Sequence, residues 1–107
     1  MEKYKIEIAT EFSDKLGGRW IKLGPFSGEA FYNEILKKRY DETVLNNEKL
    51  HIYMDGAKGY GSSFLDQSFG ELARLYTVEK VSSVLVFHTI FFEDIVKYIK
   101  EDIWAKK

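Results

Sequence analysis

An α/β domain with a mixed four-stranded sheet, its elements running β-β-α-β-α-β-α and its helices packed on the sheet, is the fold class this sequence predicts. Three observations predict it. Short apolar runs with a period of two alternate with stretches of helical period. Gly, Pro and Asn clusters fall between them. The length of 107 residues, with 45% hydrophobic residues, suits a single domain over residues 1–107 with one core.

Residues 4–12 alternate, sending Tyr4, Ile6, Ile8 and Phe12 to one side as a half-buried strand would. Gly17 and Gly18 read as a turn, and Trp20 to Leu23 as a second strand stopped by Gly24-Pro25. These two segments are expected to form an antiparallel hairpin. Ser27 then caps a helix in which Glu29 complements the positive end of the dipole and Phe31, Ile35, Leu36 and Tyr40 form the apolar stripe. Leu50 to Asp55 is the next strand.

The loop from Gly56 to Ser62 leads into a helix from about Ser63, with Leu65, Phe69, Leu72 and Tyr76 on its stripe. Ser63 and Asp66 have capping-box spacing, with Asp in place of Glu or Gln. Val81 to His88 is rich in β-branched residues and reads as a central strand. A last helix from about Phe91 to Trp104 buries Ile95, Val96, Ile99 and Ile103. Each βαβ step implies a right-handed crossover and parallel pairing.

Composition narrows the function. Sixteen basic and 17 acidic residues leave a net charge of −1, with no electrostatic footprint for nucleic acid or an anionic membrane. The absence of cysteine removes disulfides, thiolate catalysis and Cys-based zinc sites. The N-terminal Met1 to Lys5 is followed by no long apolar run, and no window approaches the roughly 20 apolar residues of a membrane span. A cytoplasmic protein without cofactor or metal is expected.

The segment from Gly56 to Ser63 is the candidate functional surface. A strand that passes through glycines into a helix N-terminus presents unpaired N–H groups and the positive end of a dipole, which favours an anion by about 0.3–1 kcal/mol when exposed. Lys58 adds a cation. Gly56 and Gly61 have the glycine spacing of a P-loop, but Ser62 stands where the phosphate-binding lysine belongs. Gly59 and Gly61 begin a dinucleotide fingerprint that Phe64 breaks.

The stretch Gly59-Tyr60-Gly61-Ser62-Ser63-Phe64-Leu65-Asp66-Gln67-Ser68-Phe69-Gly70, with Gly18-Arg19 and the block Gly24 to Glu29, resembles the STAS-like family catalogued as a domain of unknown function. That resemblance implies the fold of the bacterial anti-sigma-factor antagonists. In those proteins a serine at a strand-to-helix turn is phosphorylated by a histidine-kinase-type ATPase, which switches partner binding. Ser62 matches that serine. Gly61 stands where the antagonists carry Asp, and Phe64 where they carry Gly.

The expected function is therefore a non-enzymatic signalling module that binds a protein partner, implied by the resemblance to be such an ATPase. Ser62, Ser63, Gly59, Gly61, Lys58 and Phe64 form its surface, and Ser62 carries the phosphate. Arg19 and Glu29 are expected to pair and fix the hairpin against the first helix. Asp55 is expected to accept hydrogen bonds from the glycine loop, and most of the aromatic run from Phe87 to Phe92 to pack in the core. Two alternatives stand beside this one. A small hydrolase or transferase would use Ser62 as nucleophile and His88 as base. A structural homodimer would pair two copies through the hairpin or the last helix.

Overall fold

The computed structural model describes residues 4–106. Residues 1–3, on which part of the reading of the N-terminus rests, lie outside them. Three strands, β1 (Lys5–Glu7), β2 (Leu50–Tyr53) and β3 (Leu85–His88), form one sheet in the order β1-β2-β3. Both pairings are parallel, with Ile6 opposite Ile52 and Tyr53 opposite His88. Among the described residues the sheet is thus three-stranded and wholly parallel, not mixed and four-stranded.

The expected hairpin is absent, for two reasons. After Glu7 the chain winds into a short helix, α1 (Ile8–Glu11), so the strand stops after three residues. Trp20 to Leu23 pairs with no strand. Its Ile21–Leu23 segment is a 3-10 turn. The backbone groups that a hairpin would use are spent on the entrance of the following helix. Gly17 N–H donates to the Phe26 carbonyl at 2.8 Å, Gly28 N–H to Gly18 at 2.8 Å, and Glu29 N–H to Arg19 at 2.9 Å. Buried or enclosed backbone polar groups must find partners, and here the loop supplies its own.

Helix α2 spans residues 28–45. It is capped as expected by Ser27, whose hydroxyl accepts from Ala30 N–H at 3.1 Å. Helix α3 spans residues 62–76. Thr77, at φ 91°, then turns the chain into α4 (Val78–Val84), which occupies the first half of the expected fourth strand. What remains, β3, lies at an edge, and β2 is central. Helix α5 runs over residues 93–106. The long helices each contain one wide π turn, at Tyr32–Leu36, Asp66–Gly70 and Ile99–Ile103, and the middle one packs against both others.

One sheet face carries Ile6, Leu50, Ile52 and Leu85, all buried beneath the helices with Phe31, Leu36, Phe69, Leu72 and Ile99. The opposite face carries Lys5, Glu7, His51, Tyr53, Val86 and His88, which are exposed or half-buried. Sequential parallel strands joined by right-handed crossovers place both connections on the same side. The other side is left without a helical layer.

Candidate functional site

The loop after β2 is pinned rather than loose. Tyr60 enters the core, donates its hydroxyl to the Met54 carbonyl at 2.7 Å, and sets its ring 5.1 Å from Phe92 and 6.3 Å from Phe64. Burial pushes its phenol above the ordinary tyrosine range, so it remains a donor. Lys58 holds the other end through its backbone, donating to the Asp14 carbonyl at 2.9 Å, while its side chain is exposed. Of the loop glycines only Gly56 has a left-handed backbone, at φ 101°. Gly59 and Gly61 do not, and a Cβ at either would meet nothing within 4 Å.

Helix α3 begins two residues earlier than the capping-box spacing implies. Gly61 occupies the cap position with extended backbone, Leu65 N–H donates to its carbonyl at 3.1 Å, and no side chain caps the end. Ser62 and Ser63 are therefore the first two helical residues. Both are exposed, and neither hydroxyl has a hydrogen-bond partner among the described residues. Ser63 is not a cap because it already lies within the helix, and Asp66, its expected capping-box partner, is engaged elsewhere.

The Asp66 carboxylate is held by Arg19 at 2.6 Å and Arg74 at 3.1 Å, and Arg74 also binds Glu71 at 3.0 Å. Arg19 thus pairs with Asp66 and not with Glu29. The Glu29 carboxylate instead accepts from Ile21 N–H at 2.8 Å, which fixes the 3-10 turn. Burial pushes the Asp66 carboxyl up, but the hydrogen bonds and charges of Arg19 and Arg74 outweigh it and hold it below the usual range.

A depressed carboxyl contributes stability that is present above its unfolded value and lost as pH falls through the folded one. Wild type should therefore exceed Asp66→Asn by about 1 kcal/mol at neutral pH, given partial solvent screening. That difference should shrink below about pH 4, where the unfolded carboxyl protonates. Urea unfolding at neutral and acid pH measures both, and a difference that grows on acidification contradicts the clasp.

Arg19 carries the loop that sequence reasoning placed in a strand. Its guanidinium lies 5.9 Å from the Trp20 ring centroid. Beside it Trp20 (40% exposed), Ile21, Leu23 (68%) and Phe26 present apolar surface to solvent. Arg19 also reaches Gln67 on α3, so this apolar loop is tied to the turn of the helix that follows Ser62 and Ser63. Phe64, expected at the same surface, instead points inward and is fully buried.

His88 does not meet Ser62. Its Nε2 lies 2.7 Å from Nδ1 of His51, and its ring stacks on Tyr53 at 4.5 Å, all on the open sheet face. A groove adjoins it at the carboxyl ends of the strands, lined by Glu7, Tyr53, Asp55, His88 and Ile90 among others. Open parallel sheets commonly bind their ligands at that end. Asp55 accepts from the Thr89 hydroxyl at 2.5 Å and from Ile90 and Phe91 N–H, not from the glycine loop. The Thr89 bond leads in holding its carboxyl low, with the two backbone donors adding to it against a burial effect. The alternation Leu50-His51-Ile52-Tyr53 already carried the signal that both histidines share a face, once His88 is paired with Tyr53.

Among the described residues no cluster of three or more His, Asp or Glu side chains is placed to hold a metal. No helix there is long and apolar enough to cross a membrane. A family model described as a STAS-like domain of unknown function (DUF4325) matches residues 27–90. No curated protein and no solved structure matches.

Proposed function

Because the chain belongs to the STAS-like family of unknown function, we propose that it is a non-enzymatic regulatory module that binds a protein partner and is switched by phosphorylation at Ser62. The observation that carries this reading is the pair of exposed, unpartnered hydroxyls on the uncapped first turn of α3, a helix to which Arg19 ties the exposed apolar loop of Trp20, Ile21, Leu23 and Phe26. The apolar loop supplies area for docking. The serine supplies a place where roughly −1.5 to −2 charges appear at neutral pH and change that surface.

A histidine-kinase-type ATPase is the partner and kinase this reading names, by similarity to the anti-sigma-factor antagonists. Gly61 leaves room for the Asp those proteins carry, since nothing lies within 4 Å of its missing Cβ. The local backbone therefore suits the motif, although the carboxylate itself is missing. Ser62 is favoured over Ser63 by its place in the motif, because both hydroxyls are equally free.

Incubation with the cognate kinase and ATP is expected to place one phosphate on wild type, mapped to Ser62 by fragment-ion mass spectrometry, and none on Ser62→Ala. Phosphate on Ser63 moves the site by one residue. Partner binding that is the same with and without phosphate removes the switch.

A further inference from the structure

Two half-buried histidines on the open face of the sheet have no part in the Ser62 reading. His51 on β2 and His88 on β3 are diagonal neighbours, since His51 lies opposite Val86 and Tyr53 opposite His88. Nδ1 of His51 is 2.7 Å from Nε2 of His88, and the ring centres are 5.0 Å apart with 30° between the planes. That separation of centres is the nitrogen contact extended by one ring radius on either side. The two nitrogens therefore lie on the line between the rings and point at each other, and a single proton bridges them. Imidazoles aimed at one shared metal ion would instead be splayed from that line.

This arrangement accommodates a fixed number of protons. The uncharged pair carries one in the bridge and one on an outer nitrogen, His51 Nε2 or His88 Nδ1. A first added proton fills the remaining outer nitrogen and leaves the bridge in place, now as a charge-assisted bond. A second must go onto a bridging nitrogen. An N–H then faces an N–H between two charged rings, and the rings part. His88 is stacked on Tyr53 at 4.5 Å and 11°, whereas His51 has no second hydrogen bond among the described residues. His51 is thus the ring that swings out.

The other charges around the pair are already engaged. Lys5 and Glu7 on β1 pair with each other at 2.9 Å, and Lys49, just before β2, binds the Ser83 carbonyl. Asp55, just after β2, spends its carboxylate on Thr89, Ile90 and Phe91. The Tyr53 ring is covered on one side by His88, and the helices pack on the opposite face of the sheet.

We propose that His51 and His88 form an acid-sensitive latch on the open face, closed by one shared proton and opened by a second. Opening leaves Nε2 of His88 as a charged donor at the wall of the groove lined by Glu7, Tyr53 and Asp55. Acid thereby changes both the shape and the charge of that groove. The latch does not involve Ser62, so it stands without the phosphorylation reading.

Nitrogen-15 and NOE spectra of the full chain, followed from pH 8 down through the range in which histidines gain charge, test it. The first proton should appear on an outer nitrogen while the NOEs between the two imidazole rings persist. The second should appear on a bridging nitrogen, and those NOEs should vanish while the contact of His88 with Tyr53 remains. In urea, the stability that His51→Gln loses at neutral pH should shrink to nothing at the acid end. Both rings charging in a single step with their NOEs intact overturns the proposal, and so does the absence of those NOEs at every pH. A His51→Gln loss that acid leaves unchanged overturns it as well, because a purely structural contact would behave in that way.

Discussion

Replacing Phe64 by Ala is expected to lower the free energy of unfolding by about 3–5 kcal/mol, the usual cost of truncating a buried aromatic ring. Phe64 is completely buried at the start of α3, with its ring 5.7 Å from Phe31, 6.3 Å from Tyr60 and 6.5 Å from Phe12. These rings tie together the first helical turn, helix α2, the glycine loop and the segment after α1. Truncation leaves a cavity where four parts of the chain meet, and none can close it without moving the others. Urea denaturation gives the loss directly. Ser63→Ala, one residue away and exposed, should change stability by less than about 0.5 kcal/mol. A Phe64→Ala loss no larger than that of Ser63→Ala would place the ring at the surface, where the sequence reading put it.

That misplacement shows which part of the site was legible. The sequence located the strand-to-helix turn and both serines, because glycines after an apolar run mark such a junction without reference to tertiary contacts. It could not orient Phe64. A ring at the entrance of a helix points in or out according to where the cap falls, and the cap at Gly61 rather than Ser63 turns Phe64 inward. Asp66, which a capping box would have used, has its carboxylate taken by Arg19, 47 residues earlier in the chain. No local spacing encodes that bond.

The strands divide in the same way. Leu50 to Tyr53 alternates and forms the central strand, with its apolar residues buried. Of the expected strand Val81 to His88, the half from Val81 to Val84 misled because β-branched residues argue for strand. Yet Val78, Val81 and Val84 recur every third residue with Glu79, Lys80, Ser82 and Ser83 between, a helical period that outweighs propensity. Trp20 to Leu23 misled for another reason: its aromatic and apolar residues lie at the surface, so hydrophobicity there signals no core position at all. An exposed apolar loop tied to the helix that bears an exposed serine becomes visible only when both are folded.

Gly28→Ala should cost about 2 kcal/mol, although alanine is the better helix former by about 1 kcal/mol in a helix interior. A Cβ at residue 28 would lie 2.5 Å from the Phe64 carbonyl oxygen, and 3.1 Å from Phe64 Cα and from Gln67 Cβ. Two of those atoms are backbone, so no side-chain rotation relieves the contact and helices α2 and α3 must separate. The propensity gain is small at residue 28, the first helical position, where intrahelical bonds are few. The clash therefore wins. Separation also shifts the turn bearing Ser62 and Ser63 and strains the bond from Arg19 to Asp66. Partner binding or phosphorylation at Ser62 should fall with stability. Gly61→Ala provides the contrast. Its backbone is extended, a conformation open to any residue, and its Cβ would enter empty space. Stability should therefore hold within about 0.5 kcal/mol, as for an ordinary surface substitution. Thermal unfolding of the two variants separates a glycine required by helix packing from one whose place in the motif makes no demand on the fold. Equal losses at both positions would mean that the approach of α2 to α3 is not what fixes residue 28.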